Sequence, residues 1–155
     1  MNQNVIERFY SAFEKMDADA MSSCYHGNIE FHDPAFGNLQ GQHVSNMWRM
    51  LIESQKGKDF KIEFGQVHID QESGSAAWEA WYTFSKTGRR VHNKIKASFV
   101  IKEDKIWKHH DHFSLHRWAS QALGWKGFLI GWTTYFEQKI QKQTKAMLKR
   151  YEEKQ

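Results

Sequence analysis

Cysteine is almost missing from this chain: Cys24 is the only one in 155 residues. A single thiol rules out an internal disulfide and leaves no spaced-cysteine metal motif, so a reducing, cytoplasmic setting is expected. Proline is equally scarce, with Pro34 alone, and no low-complexity tract or linker divides the chain. The length suits one domain with a sizeable core. Long apolar runs are absent too. The longest, "GFLIGW", falls far short of the ~20 residues of a membrane span, and "MNQNVIERFY" lacks the charged start and apolar run of a signal peptide.

Charge of one sign is lacking over most of the chain. The formal net charge is +4 and the pI is near 9.1. Thr133 to Gln155, with six Lys/Arg and three Glu, carries +3 of it. The body offers no basic stripe for a phosphate backbone to follow, so no nucleic-acid partner is expected. What the chain does have is aromatic residues, 15% of the total, seven of them tryptophan. They imply a heavy core or a lined pocket.

Helical spacing of Val5, Ile6, Phe9, Phe13 and Met16 predicts a first helix, and Asp17 caps a short second one over "DADAMSSCY". "NIEFHDP" alternates as a strand until Pro34 stops it. "AFGNLQG" reads as a loop, and "QHVSNMWRMLIES" returns to the helical period. From Phe60 the period becomes two, giving four strands joined by "QESG", "TGRR" and "KEDK", the pattern of an antiparallel meander. Helices covering one face of a curved antiparallel sheet make an α+β fold. The rest reads as a short and a long helix broken around Gly124, with Trp132, Phe136, Ile140, Met147 and Tyr151 on one face of the long one.

Alternation also assigns side chains to faces. In "VHNKIKASFV", Val91, Ile95, Ala97 and Phe99 face the core and Lys94 and Lys96 face solvent, which turns Asn93 inward. In "IWKHHDHFSLH", His109, Asp111 and Phe113 share the inner face with Trp107, while His110 and His112 share the outer one with Lys108. The histidines are therefore split, and no metal is expected. Two readings of His109 and Asp111 stay open: an acid/base pair lining a cavity, or a hydrogen-bonded pair within a strand. Asp33, just before Pro34, either caps the turn or works as a proton shuttle beside an aromatic wall. Trp78, Ala80, Tyr82 and Phe84 are taken as the inner face of their strand. Trp48 and Trp78 either pack in the core or wall the cavity, and Arg49 and Glu79 are further polar residues that could enter it.

"RFYSAFEKMDADAMSSCYHGNIEFHDP" and "HDHFSLHRWASQALGW" resemble the nuclear transport factor 2-like superfamily, in particular the SnoaL-like polyketide cyclase and ketosteroid isomerase-like proteins. The resemblance covers residues 1 to about 124. It implies a cone-shaped sheet (the cystatin-like layout) over residues 1–124, with 125–155 as a helical extension packed on the domain or on a partner subunit. Asp33 matches the general-base aspartate of ketosteroid isomerases. Their oxyanion-hole tyrosine aligns with Phe9, Tyr10 being one position off and directed elsewhere, and their second oxyanion acid aligns near Ala97. Both donors are missing, so that steroid mechanism is not expected.

The reading is a protein with an aromatic-lined cavity for a small hydrophobic molecule. Asp33, His109 and Asp111 would handle protons without a cofactor, and Trp48, Trp78, Tyr82, Asn93 and Phe113 would hold the ligand. The chemistry would be of isomerase, cyclase, dehydratase or hydrolase type. The rival is a non-catalytic binding or dimerisation module. A homodimer is the expected assembly, with contact between the C-terminal helix and a membrane surface the lesser alternative.

Overall fold

The computed structural model describes residues 3–155. Helix α1 (Val5–Glu14) begins at Asn4, whose side chain accepts the Glu7 N–H while the Glu7 carboxylate accepts the Asn4 N–H. Helix α2 (Ala18–Ser23) is capped by Asp17. Strand β1 (Tyr25–Asp33) is followed by a short β2 (Gly37–Gln40), in the segment expected to be a loop. Four residues are too few for a visible alternation, so β2 was not legible. Helix α3 (Gln42–Gln55) leads to the meander: β3 (Lys61–Asp70), β4 (Ser73–Phe84), β5 (Arg89–Lys102) and β6 (Lys105–His112). The β5–β6 turn places Glu103 and Asp104 at φ of 55° and 59°, two left-handed residues in succession, as a tight twisted hairpin requires.

The six strands form one sheet in the order β2-β1-β6-β5-β4-β3. All pairings are antiparallel except β1 with β6. The inner face of the sheet carries Ile29 and Phe31, then Ile106, Phe99, Ala97, Ile95, Ala80 and Trp78. It packs on Ile6, Phe9, Tyr10 and Phe13 of α1 and on Val44, Met47, Trp48 and Ile52 of α3. Lys94 and Lys96 face solvent, so the predicted register of β5 holds.

Strand β6 departs from strict alternation. Val100 pairs with Lys108 but Ile101 pairs with Ile106, which leaves Trp107 as an extra residue. Both Ile106 and His109 then point inward, and Trp107, expected inside, lies outside with the Lys102 and Lys108 ammonium groups over its ring at 4.9 and 4.8 Å.

Three helices, not two, close the chain: α4 (Leu115–Leu123), α5 (Trp125–Ile130) and α6 (Thr134–Glu153). Helix α6 runs back over the domain. Leu148 enters the main core, Thr144 Oγ1 donates to the Ala35 carbonyl and Gln141 Nε2 to that of Pro34. Glu152 takes hydrogen bonds from His43 and Asn46 of α3. The buried stripe is thus Phe136, Ile140, Thr144, Leu148 and Tyr151; Trp132 and Met147, expected in it, are exposed.

Candidate active site

Period-two alternation past the Trp107 bulge puts His109 and Asp111 on the inner face, where only 1% and 2% of each remain exposed. A neutral imidazole has one donor and one acceptor nitrogen, so its neighbours decide the tautomer. Trp48 Nε1 donates to the Tyr25 hydroxyl at 2.8 Å. The one phenolic hydrogen of Tyr25 is then directed to His109 Nδ1, 2.8 Å away. His109 Nε2 accordingly carries the ring proton and donates to Asp111 Oδ1 at 3.0 Å, which also accepts from Trp78 Nε1 at 3.3 Å. The donors Trp48, Tyr25 and His109 run in sequence to the acceptor Asp111, which Trp78 reaches from the other side. Phe9, Phe31 and Phe99 pack around the imidazole with ring centroids 5.5, 5.1 and 4.6 Å away.

Asp33 belongs to the same face. Phe31 of β1 lies opposite His109 of β6, so the next inward positions bring Asp33 beside Asp111. Ala97 pairs with Asp111, and Ala76 with Ala97, leaving small side chains next to the two acids. Asp33 Oδ1 accepts the N–H groups of Ala35 at 2.9 Å and Phe36 at 2.6 Å, the turn-capping role that an aspartate before proline performs. Burial nonetheless raises its pKa to about 7. The Asp111 charge adds to the rise, and the two N–H bonds oppose it.

Trp48 and Trp78 are buried; the Trp78 indole N–H holds Asp111 directly, and that of Trp48 reaches His109 through the Tyr25 hydroxyl. Tyr82 is half-buried and accepts the Trp118 N–H at 2.7 Å, which leaves its own hydroxyl hydrogen for another acceptor. Asn93 faces inward opposite Ala80, and its amide has no hydrogen-bond partner among the described residues. Phe113 is half-buried just beyond Asp111 on the same face. Arg49 and Glu79 do not enter: Arg49 pairs with Asp19 and Glu79 with His92 at the surface.

Two tyrosines were missed by sequence reasoning. Tyr25 falls inside the expected helix over "DADAMSSCY", but that helix ends at Ser23 and Tyr25 opens β1, on the same alternation as Ile29 and Phe31. Tyr10, expected to point elsewhere, is fully buried against Phe64, Trp78 and Phe99, and its hydroxyl has no partner among the described residues. Its spacing of four from Ile6 was the available signal. Burial, with the Asp111 charge nearby, holds both phenols well above their ordinary range, the Trp48 hydrogen bond opposing the rise at Tyr25.

On the outer face, His110 and His112 stack with centroids 3.8 Å apart, beside His32, which hydrogen-bonds to Asn38. Among the described residues no three His, Cys, Asp or Glu side chains converge as a ligand set.

Similar solved structures share this architecture. An LEH-like epoxide hydrolase of M. tuberculosis is 16% identical, with 82% of this chain and 88% of that one covered and a TM-score of 0.57. SalBIII, an epoxide hydrolase/cyclase-like enzyme of pyran ring formation in polyether salinomycin, is 20% identical over 70% and 87%, with a TM-score of 0.57. A protein with a ketosteroid isomerase-like fold from Catenulispora acidiphila DSM 44928, in complex with trimethylamine, is 9% identical over 79% and 94%, with a TM-score of 0.63. At such identities the likeness is one of fold. No curated protein sequence matches the chain. The SnoaL-like domain matches residues 6–109, two thirds of the length, and so the chain belongs to the SnoaL-like domain family.

Proposed function

We propose that the protein binds a small apolar or ring-containing molecule against the inner face of the sheet and moves a proton on it, with Asp33 as the exchanging group. The observation that carries this reading is an aspartate poised near neutral pH beside a buried His–Asp pair. Proton transfer is fastest when the group's pKa lies near the working pH. Asp33 commits one oxygen to the turn and keeps the other for a substrate. Asp111 and His109 hold the adjoining charge and hydrogen bonds in place. Tyr82 and Asn93 supply a free donor and a free amide to orient a carbonyl, epoxide or hydroxyl oxygen. Trp48, Trp78 and Phe113 supply apolar walls. The epoxide hydrolase and the epoxide hydrolase/cyclase-like enzyme among the similar structures support cyclic epoxides as a first substrate class.

The test pairs binding with turnover. Intrinsic tryptophan emission is titrated with cyclic epoxides and ring ketones, while diol formation and exchange of α-protons are followed by mass spectrometry and NMR. Asp33→Asn is expected to lower the rate about 10²–10⁴-fold with binding retained. A wild-type rate unchanged by that substitution removes Asp33 from the chemistry.

One observation favours the rival reading, a non-catalytic binding module. His109 and Asp111 are sealed by their aromatic neighbours, as a purely structural pair would be. Saturable binding with no turnover of either substrate class decides for it.

A further inference from the structure

Six large apolar residues stand exposed within eleven positions of the C-terminal part: Trp125, Phe128, Leu129, Ile130, Trp132 and Tyr135. Their exposure follows from how α5 is seated. Gly127 and Gly131 are both buried against α4, and a Cβ at Gly127 would fall on the Ala119 carbonyl. Helix α5 therefore touches the domain through its glycines and turns its large side chains outward. His116 fixes the arrangement by hydrogen-bonding to the Phe128 carbonyl at 2.8 Å, and Trp132 Nε1 donates to the Leu129 carbonyl at 3.0 Å. The three aromatics Trp125, Trp132 and Tyr135, each about 70% exposed, together present on the order of 400 Å², given the 150–250 Å² of such a side chain. With the three aliphatic and phenyl neighbours added, the patch is large for a soluble surface.

The charge around it is mainly positive. Residues 125–155 hold seven Lys/Arg against three Glu, which is +4 and equals the formal charge of the whole chain. Lys126 lies within the patch. Lys139, Lys142 and Lys149 follow Tyr135 at spacings of four, three and seven, so they continue its exposed side of α6. Glu137 is the acid nearest the patch along the chain.

We propose that this apolar cap and its lysines dock the protein on the surface of an anionic lipid bilayer. Tryptophan and tyrosine with outward aliphatic residues suit the boundary between headgroups and acyl chains, and the lysines suit acidic headgroups. A second copy of the chain fits less well. An isologous contact at this patch would set the same positive surface against itself. Among the described residues no helix is long and apolar enough to cross a membrane. The proposal is independent of the inner-face chemistry.

The experiment uses the full chain and vesicles of phosphatidylcholine with and without phosphatidylserine, read by co-sedimentation and by quenching of tryptophan emission with brominated acyl chains. The wild type should sediment with the anionic vesicles, be quenched there, and lose binding as salt rises. The pair Phe128→Ser and Leu129→Ser, both at exposed positions, should keep the melting temperature and lower the bound fraction about tenfold. Lys139→Glu with Lys142→Glu should weaken binding and abolish the preference for phosphatidylserine. The proposal falls if the wild type neither sediments with anionic vesicles nor is quenched by them. It also falls if binding survives the serine substitutions, or if ultracentrifugation shows a lipid-free dimer that those substitutions dissociate.

Discussion

Asp33 ties the stability of the fold to pH. A carboxyl whose pKa is near 4 in the unfolded chain and about 7 in the folded one binds its proton more tightly when folded. The contribution of this group to stability is therefore greatest below pH 4 and falls as pH rises from about 4 to about 7, by at most about 1.4 kcal/mol per unit. Asp33→Asn should flatten that decline, matching the wild type near pH 4 and exceeding it at pH 8 in urea unfolding monitored across the range. Tyr25 makes a second residue-scale prediction. Tyr25→Phe removes the acceptor of the Trp48 N–H and the donor to His109 Nδ1 together, all in a buried site. Such orphaned groups cost about 1–3 kcal/mol, measurable by chemical denaturation, and ¹⁵N NMR of the histidine ring should show the Nε2–H tautomer losing its dominance. The residues of this network were half legible in the sequence. His109, Asp111 and Asp33 follow from strand alternation and from the turn before Pro34. Tyr25 and Tyr10 did not, because the expected second helix ran through the first, and the second stood one position from the matched Phe9 although its spacing from Ile6 marks it as inward.

At the scale of elements, the long strands and helices could be read because burial imposes a period on them. What escaped was whatever breaks or lacks a period. Strand β2 is four residues long, the Trp107 bulge adds one residue to β6, and α5 is apolar on its outside. Helix α6 shows how narrow the margin is, since adjacent residues Met147 and Leu148 are both apolar and only the second is buried. Leu148→Ala should destabilise by about 2–5 kcal/mol, whereas Met147→Ala should stay within about 0.5 kcal/mol, as read from paired denaturation curves. Equal costs would mean that α6 is not seated as described.

Across the whole molecule, the parallel β1–β6 pair gives the chain an order of assembly. Strand β1 is made early, yet its neighbour on one side, β6, arrives some seventy residues later, and the turn after β1 is bonded by Gln141 and Thr144 near the other end. Until then Ile29 and Phe31 have nothing from β6 to cover them. During synthesis the meander β3–β6 can zip up locally, and β1 with its hairpin partner must wait to be enclosed. The young chain thus passes through a stage in which a nearly complete sheet still shows an open inner edge, the moment at which a chaperone, or a second nascent chain, would find the most to hold.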